Sequence, residues 1–149
     1  MSAIETAPKL GVAFCLALVV TIVVPYLILP EAAHGGISTY YGYGALGPTA
    51  IGVFALLTTV VFASAARGRA DPSLVAGAAL VLGIVMTLIA LMWALSVPGE
   101  VLDSIAAETW RQYRQAIHAG LALHRWIVVT LSTAVAASAG AYSRALGLL

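Results

Sequence analysis

The sequence predicts an all-α integral membrane fold: a four-helix transmembrane bundle with one additional extracellular amphipathic helix. Three observations predict it. Four runs, residues 10–29, 49–66, 74–97 and 126–143, contain no charged residue, and all thirteen charges lie between or beside them. The runs are 20, 18, 24 and 18 residues long, against the roughly 20 residues that carry a helix across a hydrocarbon core of about 30 Å. The 149-residue chain is 62% hydrophobic and 9% charged, where a soluble domain carries about 25% charged residues. The runs occupy more than half the chain, so a single transmembrane domain, 1–149, is expected, with no separate soluble catalytic domain.

The first run follows Glu5 and Lys9. Its length exceeds the 7–15 apolar residues of a signal peptide, so it reads as a true span. Pro25 lies inside it, removes one helical hydrogen bond and predicts a kink near the end of the span. Cys15, the only cysteine, excludes an internal disulfide, a CxxC redox pair and a cysteine zinc site, and reads as a small buried residue. Residues 30–48 form a loop without Lys or Arg, containing five glycines and three tyrosines between His34 and Pro48. That composition reads as a flexible segment whose rings sit at headgroup depth or against a partner. Between the second and third runs, Arg67-Gly68-Arg69-Ala70-Asp71-Pro72 reads as a tight turn, with Asp71 capping the third helix and Pro72 in its first position.

Residues 98–120 carry the best amphipathic pattern outside the spans. Val101, Leu102, Ile105, Ala106, Trp110, Tyr113, Ala116 and Ile117 share one half of a helical wheel. Asp103, Glu108, Arg111, Arg114 and His118 share the other, with Glu108 and Arg111 spaced to pair. One helix over this stretch either lies on the membrane surface or extends the fourth span. The fourth span is rich in small residues, from Ala134 to Ala141 and including Gly140. Lipid supplies no hydrophobic drive between helices, so close backbone approach must hold such a span centrally or against a partner.

Lys9, Arg67, Arg69 and Arg144 fall on one side of a four-span arrangement, which places both termini in the cytoplasm by the positive-inside rule. Arg111, Arg114 and Arg125 on the other side weigh against this, offset by Glu100, Asp103 and Glu108. Tyr26, Trp93 and Trp126 fall near the outer ends of their spans and Tyr142 near an inner end, as interfacial rings do. A faint internal similarity relates Ala17-Leu18-Val19 and Ile22-Val23 to Ala79-Leu80-Val81 and Ile84-Val85. It reads either as a duplicated hairpin or as coincidence in a small apolar alphabet.

No catalytic constellation is present in the sequence, and no cofactor or metal site is expected. Gly42-Tyr43-Gly44 matches part of a potassium-filter motif, but Tyr40 and Tyr41 replace the Thr-Val that precede it, and there is no room for a pore helix. His118 and His124 are six residues apart and do not share a helix face. With His34 they read as interfacial histidines bonded to backbone, or alternatively as an outer-side cluster. The absence of ionisable residues within the runs argues against ion-coupled transport. What remains is binding: Tyr40, Tyr41 and Tyr43 in the loop, Trp110, Tyr113 and Ile117 on the amphipathic helix, and Gly140 in the fourth span are the candidate partner contacts. The partners expected are the lipid bilayer and other membrane subunits or copies of the chain, with no nucleic acid.

Val24-Pro25-Tyr26, Tyr40-Tyr41, Gly47-Pro48, Asp71-Pro72, the stretch Ala76-Gly77-Ala78-Ala79-Leu80-Val81-Leu82-Gly83, and His124-Arg125-Trp126 together resemble small uncharacterised four-span membrane proteins of halophilic archaea. The resemblance spans the whole chain. It implies a four-helix membrane fold in a prokaryotic cell membrane and brings no activity and no functional residue. The expected function is that of a non-enzymatic accessory or scaffold subunit. The alternatives are a homo-oligomeric passive channel and a small membrane enzyme or cofactor-binding protein using the outer histidines.

Overall fold

In the computed structural model, which describes residues 3–149, the chain is all-α. Four long helices, α1 (Ala3–Ile28), α3 (Pro48–Ala66), α4 (Pro72–Ser96) and α6 (Arg114–Ala145), are joined by two short ones, α2 (His34–Tyr41) and α5 (Gly99–Ala107). Each long helix is apolar enough and long enough to cross a membrane. At 1.5 Å per residue the 19 residues of α3 reach about 28 Å, close to one hydrocarbon core, whereas the 32 of α6 reach about 48 Å and project beyond it.

The long helices alternate in direction and pack in the cyclic order α1–α3–α4–α6. Their shared interior holds Cys15, Leu18, Ile51, Phe62, Met86, Val128 and Val135. The outward faces carry large apolar side chains such as Val20, Leu27, Val60, Val81 and Leu95, suited to acyl chains. Hydroxyls in the interior bond back to their own helices: Thr58 Oγ1 donates to Phe54 O (2.7 Å), Ser132 Oγ to Val128 O (2.8 Å) and Ser143 Oγ to Ala139 O (3.0 Å). They are satisfied locally and hold no neighbouring helix.

The α3–α4 turn forms as expected. Gly68 takes a positive φ of 63°, and Asp71 accepts hydrogen bonds from the backbone of Ser73 (2.9 Å) and Leu74 (3.0 Å) at the start of α4. The hydroxyl of Ser73 also donates to the same carboxylate.

Two connections differ from expectation. Residues 30–48 are not a flexible loop. They form a 3-10 turn at Glu31–Ala33 and then α2, whose Ile37, Tyr40 and Tyr41 are buried. Those residues follow the i, i+3, i+4 spacing of a helix face, and Gly36 permits the packing: a Cβ there would stand 2.6 Å from Ile105 Cγ1 of α5. Gly36, which reads as flexibility in the sequence, is here required by close approach of two short helices.

The stretch 98–120 is not one helix. α5 ends at Ala107, Thr109 Oγ1 turns back to Ala106 O (2.7 Å), Trp110 is extended (φ −62°, ψ 124°), and α6 begins at Arg114 after a 3-10 turn. No glycine or proline marks this break. It arises because the two halves of the apolar face have different targets: Leu102, Ile105 and Ala106 are buried where α5 packs on α2 and α6, while Trp110 and Tyr113 turn toward α1. Glu108 and Arg111 consequently do not pair; the contact formed here is His118 Nε2 with Asp103 Oδ1 at 3.4 Å. Trp93, expected at the interface with lipid, is fully buried.

Candidate functional site

The polar chemistry inside the packed helices converges where α1, α2, α4 and α6 meet, and Pro25 organises it. Proline has no N–H, so Thr21 O, four residues back, loses its helical partner. His124 Nε2 of α6 stands 3.0 Å from that oxygen. A carbonyl can only accept, so Nε2 carries the hydrogen and Nδ1 presents a lone pair. The Tyr40 hydroxyl lies 3.3 Å from that lone pair and 3.1 Å from Leu121 O, its single hydrogen shared between the two acceptors. The next carbonyl of α1, Ile22 O, accepts from the Tyr41 hydroxyl at 2.6 Å. The Trp93 indole N–H of α4 donates to Tyr40 O at 2.9 Å.

The rings pack as they bond. Tyr41 lies nearly parallel to His124 at 13° and 6.1 Å, and Tyr40 meets Trp93 edge-on at 5.0 Å. Tyr26 extends the series outward to His34, whose Nε2 lies 3.3 Å from Leu29 O. Burial pushes both phenols, Tyr40 and Tyr41, well above their ordinary titration range, so they remain protonated donors. Both ring nitrogens of His124 are engaged by protein atoms, and the network ties four helices together.

Beside it, Arg125 reaches over the end of α4, where Nη1 donates to Ala94 O (3.4 Å) and Val97 O (3.3 Å). A cation there complements the carbonyl end of the helix dipole. Its Nε is the buried side-chain nitrogen left without a partner among the described residues.

Between α1 and α6, with His124 among its lining residues, runs an apolar groove of about 400 Å³. Val24, Pro25 and Ile28 form one wall, and Trp110, Tyr113 and Ile117 the other. A second recess of about 500 Å³ adjoins the same segment on its polar side, lined by Arg111, Gln112, Arg114 and Gln115.

The candidate contacts separate accordingly. Tyr40 and Tyr41 lie in the interior, 0% and 6% exposed, and serve the network rather than a surface. Tyr43 is half-buried against the core, and Ile117 is half-buried on the groove wall. Trp110 and Tyr113 are 52% and 53% exposed, their rings edge-to-face at 6.3 Å. Gly140 is half-buried, and a Cβ there would meet no atom within 4 Å. His34, His118 and His124 do not converge, and the described residues contain no group of three or more His, Cys, Asp or Glu placed to hold a metal. His124 was expected at the interface, two residues before the fourth span; α6 begins ten residues before His124 and carries it into the interior. The sequence signal for this network was Pro25, which frees a carbonyl, but not the identity of the donor that takes it.

No curated protein and no solved structure matches the chain. A family model does, over residues 1–147, and the chain therefore belongs to that family, DUF7548, a family of unknown function.

Proposed function

We propose that the chain is a non-enzymatic integral membrane protein, an accessory or scaffold subunit that crosses the cell membrane four times with both termini in the cytoplasm and offers α6 to a spanning helix of another subunit or of a second copy. One observation carries this reading. The outward faces of α1, α3 and α4 are covered by large side chains, among them Leu16, Leu57 and Leu88. Between Ile127 and Leu148, α6 exposes no large hydrophobic residue. Its outward positions there are Thr130, Thr133, Ala137, Ala141 and Arg144, with Ala134 and Gly140 half-exposed beside them. Small residues at this spacing leave the backbone open to close approach by another helix, which is how spanning helices associate in lipid. Gly140, with open space beyond its α-carbon, sits in the middle of that face.

Extraction in a mild detergent, followed by particle-mass measurement and identification of co-purifying polypeptides, tests the proposal. A fixed-ratio partner or a defined oligomer is expected, and Ala137→Leu, which adds bulk only on the outward face, is expected to disperse it. A monomer without companions, or an assembly indifferent to leucine at 137, would overturn the reading.

A further inference from the structure

The groove between α1 and α6 and the arginine recess beside it belong to one short segment. Residues 110, 113 and 117 face the groove, while 111 and 114 line the recess. An apolar slot and a pair of cations therefore lie one residue apart along the chain. Arg111 and Arg114 are exposed, and neither guanidinium makes an ion pair or hydrogen bond among the described residues. Asp103, an acid of the same end, is taken by His118. A third arginine, Arg125, is committed to the end of α4.

The groove itself offers almost nothing to a polar occupant. Besides the Tyr113 phenol, its one ionisable lining group is His124, whose nitrogens both have partners within the protein. A peptide laid there would strand its backbone N–H and C=O groups, at a cost that a hydrocarbon chain avoids. The wall formed by α1 continues outward into Leu27 and Ile28, 77% and 65% exposed, so the groove is continuous with the face suited to acyl chains. The cations beside it are guanidinium groups, which bind phosphate through paired N–H donors.

The geometry points to a phospholipid site: an anionic phospholipid of the adjoining leaflet, with one acyl chain in the α1–α6 groove and its phosphate on Arg111 and Arg114. Trp110 and Tyr113, which the sequence offers as protein contacts, flank the chain where it leaves the groove. Gly120 lines the groove, and a Cβ there would meet no atom within 4 Å, so a larger side chain at 120 occupies the space of the acyl chain without displacing the fold.

Native mass spectrometry of the full-length chain in mild detergent, titrated with phosphatidylglycerol or phosphatidylcholine, tests the site. Wild type is expected to retain phosphatidylglycerol in preference to phosphatidylcholine. Arg111→Gln with Arg114→Gln is expected to weaken phosphatidylglycerol binding roughly ten-fold or more, because two charge-assisted contacts are lost. Gly120→Leu, with both arginines intact, is expected to weaken both lipids. Equal retention of the two lipids by wild type, or unchanged binding in the arginine variant, would overturn the headgroup assignment. Unchanged binding in Gly120→Leu would overturn the groove assignment, and so would a polypeptide held through Trp110 in place of lipid. Leucine at 137 leaves this site untouched, so a failure of the subunit reading is distinguishable from a failure of the lipid site.

Discussion

The crossing of α4 and α6 provides a sharp test of how tightly this protein is packed. Gly83 sits at that crossing. A Cβ added there would lie 2.7 Å from Ala136 Cα, 2.9 Å from Ala136 N and 3.1 Å from Ala136 Cβ. Ordinary contact begins at 3.4 Å, so Gly83→Ala requires α4 to retreat from α6 by about 0.7 Å. The nearest atoms belong to helical backbone, which has no rotamer by which to yield. Overpacking of this kind costs about 1–3 kcal/mol. Gly77→Ala is the control: its Cβ enters open space, and alanine's better helix propensity contributes up to about 1 kcal/mol in the other direction. Reversible unfolding in mixed micelles of mild detergent and dodecyl sulfate, followed by far-UV circular dichroism, measures both. A second prediction is built into the geometry. Adding Ala136→Gly removes only the 3.1 Å contact and leaves the Cα and N contacts in place, so the double variant is expected to remain destabilised. If Gly83→Ala is as stable as Gly77→Ala, or if Ala136→Gly restores full stability, the account of the crossing is wrong.

Gly11→Ala is expected to destabilise for a different reason, since its Cβ would collide with the buried ring of Phe62. There the obstacle is a side chain, and Phe62→Leu is expected to recover part of the loss; no recovery in the same unfolding measurement would contradict the assignment. Tyr41→Phe removes the bond to Ile22 O and is expected to cost about 1 kcal/mol, and a variant as stable as wild type would show that the hydroxyl holds nothing. Asp71 introduces a pH dependence. The Ser73 hydroxyl, with the Leu74 backbone N–H, holds its carboxyl below the usual carboxylate range. Its stabilisation is therefore present above the ordinary carboxylate pKa and is lost as pH falls through the lowered folded value. Asp71→Asn keeps a capping oxygen and is expected to flatten that acid limb; an unchanged acid limb in an unfolding series from pH 6 down to about pH 2 would exclude Asp71 as its origin.

The four long apolar helices were legible because each is decided by an unbroken local property, freedom from charge over a bilayer's thickness. The Asp71-Pro72 helix start was legible for the same reason: donor, acceptor and proline lie within four residues. Residues 34–41 show where local reading stops. Gly35-Gly36 and the tyrosines suggest an open loop, yet Ile37, Tyr40 and Tyr41 have the spacing of a buried helix face, and only the presence of α1, α4, α5 and α6 makes that face worth burying. The break at residues 108–110 is the converse. A continuous 3.6-residue pattern runs straight through it, and nothing in the pattern reveals that its two halves pack against different helices.

The polar network divides in the same way. Pro25 announces a free carbonyl in the first span. That His124, 103 residues after Thr21, supplies the hydrogen, and that Tyr41 serves the next carbonyl, depends on where α6 begins and how closely α2 folds back. The sequence by itself determined that four helices are apolar enough to cross a membrane, because transfer into lipid depends on composition within one segment. Only the tertiary structure decided which tyrosines are interior, where the apolar groove opens and which arginines stand unpaired beside it, because each of those depends on distances between segments far apart in the chain.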